Sequence, residues 1–315
     1  MTDRAFRVAA SGGQTIVYDP CGGVTRRAAY PVPAGRHRLA DAEVRGWPLA
    51  HPAGLGLDMP VSLCWSPLVR CNLACPHCLD DKTVPELDAA RRAAKGRLIG
   101  ASGVLGVDIS GGEPLLLRDL PDLAQGLTAD GCAVSITTNG WHLARRIPEL
   151  ENRVDAIRVS LDAPDPSRHD ALRGAGSFRR ALDGIWACRS AGMPVQVQSV
   201  LMASGARHAQ GIVEVAAKAG ANGVTFLQLL PIGAGSTMAA SEMLDDHAAS
   251  ALIHGLRIPP GLDVRLRTRS AAEGFTVVRA DGRVWRNGPA ALSISPARPL
   301  ERPADLALSG RDGSA

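Results

Sequence analysis

The sequence predicts an α/β fold built on a parallel sheet with helices packed over it. Three observations carry this. Strand-like apolar runs alternate with Ala- and Leu-rich helical runs from Val61 onward, about six times over. The run at 104–110 is almost continuously apolar, as a strand covered on its faces should be. Short Cys-, Gly- and Asn-bearing segments recur directly after the strands, where folds of this class place their sites. About six units do not close an eight-fold barrel. Periodicity alone leaves a partial barrel and a doubly wound open sheet as alternatives.

The elements follow in order. Residues 1–57 form a β-rich preface. Strands at 6–9 and 15–18 flank the turn Ser11-Gly12-Gly13, a second turn covers 19–23, and Pro31, Pro33, Pro48 and Pro52 mark a loop-rich passage. The main domain spans 58–259. Its strands are expected at 61–68, 104–110, 133–137, 154–161, 195–201 and 223–230. Its helices are expected at 86–98, 120–127, 178–191, 209–219 and 242–256. The extension 260–315 holds strands at 262–266, 275–278 and 283–285, the last two joined by a tight hairpin around Ala280-Asp281-Gly282. Its end, 309–315, is expected to be disordered.

Composition bounds the function. The 315 residues suffice for a sizeable core, and 45% apolar with 21% charged residues is ordinary for a globular protein. Net charge is +4, but the basic residues are scattered and mostly Arg, with lysine only at Lys82, Lys95 and Lys218. No basic block reads as a nucleic-acid stripe. No segment is long and apolar enough for a membrane span, and the first ten residues do not read as a signal peptide. A cytoplasmic setting without nucleic-acid or membrane partners is expected. Cysteine occurs at Cys21, Cys64, Cys71, Cys75, Cys78, Cys132 and Cys188, an odd count with three clustered, which argues for a reducing compartment and metal binding.

The cluster is Cys71-Asn72-Leu73-Ala74-Cys75-Pro76-His77-Cys78, spaced C-x3-C-x2-C after the first main strand. Three thiolates can hold three irons of a [4Fe–4S] cluster and leave the fourth open to another ligand. A closed zinc site wants a fourth ligand, and the one near candidate, His77, directly precedes Cys78. A disulfide pair suits a small secreted chain, not one of this length.

Further motifs stand at the strand ends. Ser110-Gly111-Gly112-Glu113-Pro114 follows the second strand; its glycines allow close backbone approach, and Glu113 suits an ammonium group. Thr137-Thr138-Asn139-Gly140 closes the third strand with groups suited to a nucleoside or carboxylate, or to a plain Asn-Gly turn. Val159-Ser160-Leu161-Asp162 ends the fourth strand, with Asp162 read as ordering the loop. Arg173 follows, its fork suited to a carboxylate or simply solvated. Gln198 and Gln228 in the next two strands either face the cavity or are satisfied by backbone. Cys64, Cys132 and Cys188 read as buried thiols.

Together the C-x3-C-x2-C loop and the Gly111-Gly112-Glu113-Pro114 motif resemble those of the radical S-adenosylmethionine (radical SAM) superfamily. The resemblance implies an open, partial (β/α)6 TIM-like barrel. It implies a [4Fe–4S] cluster on Cys71, Cys75 and Cys78, whose open iron takes the amino and carboxylate groups of SAM. It places Gly111, Gly112, Glu113 and Pro114 at the SAM amino group, and Arg173 at its carboxylate. Thr138, Asn139 and Ser160 would stand near the nucleoside or carboxylate, Gln198 would face the cavity, and Leu230 and Pro231 would form the adenine platform. His77, where the family often has an aromatic residue, would present backbone to adenine. The implied activity is reductive SAM cleavage to a 5′-deoxyadenosyl radical. That radical takes hydrogen from a biosynthetic small molecule or a precursor peptide, with a flavodoxin- or ferredoxin-type protein as electron donor. The expected outcome is epimerisation, rearrangement, dehydrogenation or crosslinking. The alternatives are an activator that makes a glycyl radical on a partner, and a non-catalytic iron–sulfur or zinc module. No cysteine follows Cys188, so a C-terminal auxiliary-cluster domain is not expected, nor is an upstream cobalamin domain.

Overall fold

The computed structural model describes residues 3–272, 274–288, 291–295 and 297–308. The tail 309–315, expected to be disordered, lies outside the described residues.

The chain opens with a four-stranded antiparallel sheet of β1 (Asp3–Ser11), β2 (Gln14–Asp19), β3 (Val24–Arg27) and β4 (Gly35–Ala40), in the order β3-β2-β1-β4. The preface is thus β-rich as expected, with two strands more than the sequence suggested. β3 and β4 carry mostly polar residues and owe their place to pairing with β2 and β1.

The main sheet has ten strands. β5 (Ser62–Trp65), β6 (Gly106–Ile109), β7 (Ala133–Thr138), β8 (Ala156–Ser160), β9 (Val195–Leu201) and β10 (Gly223–Gln228) run parallel in sequence order, with helices between them. β11 (Asp263–Arg267) adds in parallel beside β10. β12 (Thr276–Val278) adds in parallel beside β5, and β13 (Arg283–Arg286) and β14 (Arg298–Pro299) follow antiparallel. β11 and β12 do not pair, so the sheet stays open. The expected partial barrel is present, and its sheet continues through the strands after residue 259.

Alternation along the strands sets the interior. Val107, Ile109, Val134, Ile136, Ile157, Val159, Val197, Val224 and Phe226 share one apolar core with Ile99, Leu127, Ile147, Ile185 and Val213 of the covering helices. The positions between them face the other way. Asp108, Thr137, Ser160, Gln198 and Leu227 are half-exposed although they lie in central strands, so the concave side is an accessible lumen.

The N-terminal sheet seals one end of that lumen. Tyr18 packs with Val61, Leu105 and Ala133 at the strand starts. Arg158 donates to the carbonyls of Pro20 (2.6 Å) and Cys21 (3.3 Å), and Arg265 donates to that of Gly22.

Candidate active site

The cysteine loop leaves β5 at the opposite, C-terminal end of the sheet. Cys71, Cys75 and Cys78 are free and only partly buried, whereas Cys21, Cys64, Cys132 and Cys188 are buried. Burial pushes the Cys132 thiol up to about 11 and Cys188 up to about 12. Burial also raises Cys71 and Cys75, so their thiolates need a bound cation to form at neutral pH. The three loop thiols lie near enough to perturb one another electrostatically. Cys71 Sγ accepts from the Leu73 amide at 3.4 Å and stands 3.9 Å from Asn139 Nδ2. Among the described residues no group of three or more His, Cys, Asp or Glu could hold a single metal ion. Three soft donors in one loop suit a multinuclear cluster, in which each thiolate takes its own iron.

Each strand-end motif braces this loop. Gly111 takes a positive φ of 104°, and a Cβ there would lie 2.5 Å from Leu68 O. A Cβ on Gly112 would lie 2.0 Å from Arg70 O. The close approach the glycines allow is therefore made, in the protein itself, to the segment leading into Cys71. Pro114 begins a buried 3-10 turn. Glu113 is fully buried and accepts from Thr138 Oγ1 (2.7 Å), the Asn139 amide (2.8 Å) and the Leu115 amide (3.0 Å). Burial still raises its pKa above the ordinary value. Asn139 Nδ2 donates to Asn72 Oδ1 at 2.9 Å, tying the end of β7 to the cysteine loop.

A second brace centres on Asp162, just past β8. Its Oδ2 accepts from Arg173 Nε at 2.6 Å and lies 3.1 Å from His77 Nε2; its Oδ1 accepts from the Val200 amide at 2.8 Å. Burial alone would raise its pKa, but Arg173 and His77 outweigh burial and hold it far below the usual carboxylate range. His169 Nδ1 accepts from the Asp162 amide at 3.1 Å, and burial pushes that imidazole down to about 4.

The structure thus gathers Cys71, Cys75, Cys78, His77, Gly111, Gly112, Glu113, Pro114, Thr138, Asn139 and Arg173 into one connected assembly. Ser160 and Gln198 sit deeper, paired in register on the lumen side. Leu230 packs near Ile232 and Cys64, and Pro231 is buried beside it. The following turn clamps the cysteine loop, with the Ala234 amide donating to Cys78 O at 2.9 Å. Gln228 does not line the lumen: its amide bonds the Leu244 carbonyl and the Arg269 amide, the backbone-satisfied alternative.

Residues 65–206 match the model of the family described as the Radical SAM superfamily. That match spans less than half of the chain and takes in the cysteine loop, Glu113, Asn139 and Arg173. It is 36% identical over 154 residues to the mycofactocin maturase MftC of Mycobacterium tuberculosis H37Rv, covering 45% of this chain and 38% of that protein. It is 32% identical over 199 residues to a GTP 3′,8-cyclase of Rhodopseudomonas palustris, covering 59% of this chain and 56% of the relative. The chain therefore spans about half the length, or less, of these curated relatives. Streptococcus suis SuiB bound to the precursor peptide SuiA superposes with a TM-score of 0.58 at 16% identity, over 72% of this chain and 59% of that one. At that identity the likeness concerns the fold. Radical SAM proteins use a [4Fe–4S] cluster and SAM, and the cysteine loop has the donors for the cluster. No helix among the described residues is long and apolar enough to cross a membrane.

What the sequence reading missed is the polar lining of the lumen. Asp108, Ser135, Thr137, Arg158, Thr225, Arg265 and Arg267 alternate with apolar residues along their strands. That alternation was the available signal.

Proposed function

We propose that this chain is a radical SAM enzyme whose cysteine loop holds the cluster and whose lumen holds the substrate. When bound, the cluster and SAM supply one-electron cleavage to a 5′-deoxyadenosyl radical, which takes a hydrogen atom from the substrate. The chain's own residues position and shield. Cys71, Cys75 and Cys78 give three thiolates to three irons. Arg173 spends only Nε on Asp162, so its two terminal nitrogens remain to fork onto the SAM carboxylate. Glu113 has three lone-pair positions engaged out of about four, leaving one for the SAM amino group. Gly111, Gly112 and Pro114 fix Glu113 against the cysteine loop. Thr138 and Asn139 hold the strand-end edge, and Ser160 and Gln198 face the nucleoside from the lumen. Leu230 and Pro231 form the adenine platform, with the backbone at His77 opposite. An external flavodoxin- or ferredoxin-type protein donates the electron.

The substrate is a small molecule or a peptide. A relative named as a GTP cyclase supports the first, and a fold neighbour bound to a precursor peptide supports the second.

The carrying observation is the contrast among the cysteines: three half-exposed thiols share one braced loop, and the other four are buried. Anaerobic reconstitution tests it. About four irons per chain are expected, with 5′-deoxyadenosine formed from SAM and dithionite. Cys75→Ala should lose both. Zinc alone without SAM cleavage, or cleavage retained in the variant, overturns the reading.

A further inference from the structure

The lumen carries a cation that no carboxylate among the described residues pairs with. Arg267, on the lumen face of β11 beside Leu227, has no carboxylate or hydrogen-bond partner among the described residues. The carboxylates of the neighbouring strands are engaged by other residues. Asp108 is engaged by Arg158 at 3.1 Å and by the hydroxyls of Ser135 and Thr137, both at 2.8 Å. Asp263 stands 3.8 Å from Arg265 Nε. Asp80, which burial raises to about 6 against the attraction of Arg279, keeps one buried oxygen without a hydrogen bond.

Arg267 is also held in place. Its guanidinium lies 4.6 Å over the Phe275 ring, where the two edges of the open sheet approach each other. Stacking fixes the plane and leaves the N–H edge free to form a fork. Burial, then the neighbouring Arg158, holds its pKa below the ordinary arginine value. An arginine there still keeps its proton, and a half-buried cation without a carboxylate partner is costly.

The geometry points to Arg267 as the seat of an anionic group of the substrate, a carboxylate or a phosphate, inside the lumen. This rests on the lumen being the substrate cavity of the proposed radical SAM enzyme. Arg265 adds to the field. Its buried Nε has no hydrogen bond, while its Nη2 donates to the Gly22 carbonyl and the Thr225 hydroxyl. A bidentate oxyanion on Arg267 would place the rest of the substrate toward Ser160 and Gln198, below the cysteine loop.

The test is calorimetric titration of the reconstituted, SAM-loaded protein with inorganic phosphate and, separately, with malonate. One saturable site for either anion is expected, and the stronger of the two names the source. Arg267→Ala should weaken it roughly tenfold or more, and Arg267→Lys should restore part of the loss. Arg179→Ala, on an exposed helix face, should leave it unchanged. No binding of either anion, or equal binding by Arg267→Ala, overturns the inference. SAM cleavage is scored on the same wild-type preparation. Cleavage without anion binding removes this inference alone, and anion binding without cleavage removes the proposed activity alone.

Discussion

The two ends of the barrel are built from the same residue types and do opposite things. At the sealed end, Asp19 pairs with Arg4 at 3.2 Å, Cys21 is buried with its thiol pushed up to about 11, and Tyr18 fills the space over Gly106. At the open end, Asp162 pairs with Arg173 and His77, and three cysteines stay partly exposed. The sealed end spends its charges on closing the structure. The open end uses one carboxylate to hold a cysteine loop and an arginine whose remaining donors are free. A buried ion pair is therefore not in itself a sign of a site; what its partners leave unspent is.

The largest expected effect breaks that comparison at its carboxylates. Asp162→Ala strands the Arg173 cation and should cost about 3–5 kcal/mol in urea denaturation, whereas Asp19→Ala leaves Arg4 paired with Asp41 and should cost less. Only Asp162→Ala should also impair iron loading and SAM binding, because its partners are His77 of the cysteine loop and Arg173. Equal loss of iron in both variants would mean that Asp162 acts through global stability alone.

Much of the open end was legible from sequence, and for physical reasons. Cluster ligands must be near one another, so the proposed ligands Cys71, Cys75 and Cys78 stand out locally. Helix-facing strand positions must be apolar, so Val107, Ile136, Val159 and Val197 marked the sheet. Asp162 was read as ordering its loop, but its partners were not legible, because His77 and Val200 reach it from distant segments. Nor were the helices Leu143–Leu150 and Pro166–Arg173, since Pro148 interrupts the first and Asp165-Pro166 reads as a turn. Pro166 in fact sits in the first turn of its helix, where its missing N–H costs nothing, and Asp165 caps that helix. The lumen arginines were passed over because V-R-L-R at 264–267 looks like any amphipathic strand until its partners on the sheet are known.

A medium effect separates the two ends by pH. His169, behind Asp162, has a folded pKa near 4, below its unfolded value of about 6.5. As pH falls the unfolded chain takes the proton first, so stability is lost between about 6.5 and about 4, by roughly 3 kcal/mol. Asp19 has the opposite timing. Burial would raise its folded pKa, but Arg4 together with the Gly22 and Cys21 amides depresses it, so its contribution is intact above about 3.9 and fades only below that. Urea midpoints at pH 7 and pH 4.5 should therefore differ in the wild type, and His169→Gln should remove most of the difference. A variant as acid-sensitive as wild type would place that proton elsewhere.

The smallest expected effect compares two glycines with the same crowding. A Cβ at Gly112 would lie 2.0 Å from Arg70 O, and a Cβ at Gly106 would lie 2.0 Å from Tyr18 Cε1. Overpacking of this kind costs about 1–3 kcal/mol, so both alanine variants should melt earlier, Gly112→Ala by more because it meets backbone. The neighbours yield differently. The Tyr18 ring is a side chain and can turn aside, whereas Arg70 O is backbone one residue before Cys71 and moves only with the cysteine loop. Gly112→Ala should therefore load less iron at temperatures well below its own melting point, and Gly106→Ala should load normally. Iron content measured beside thermal denaturation decides it. Normal loading in Gly112→Ala would show that the loop tolerates displacement, and that the glycine pair is there for packing alone.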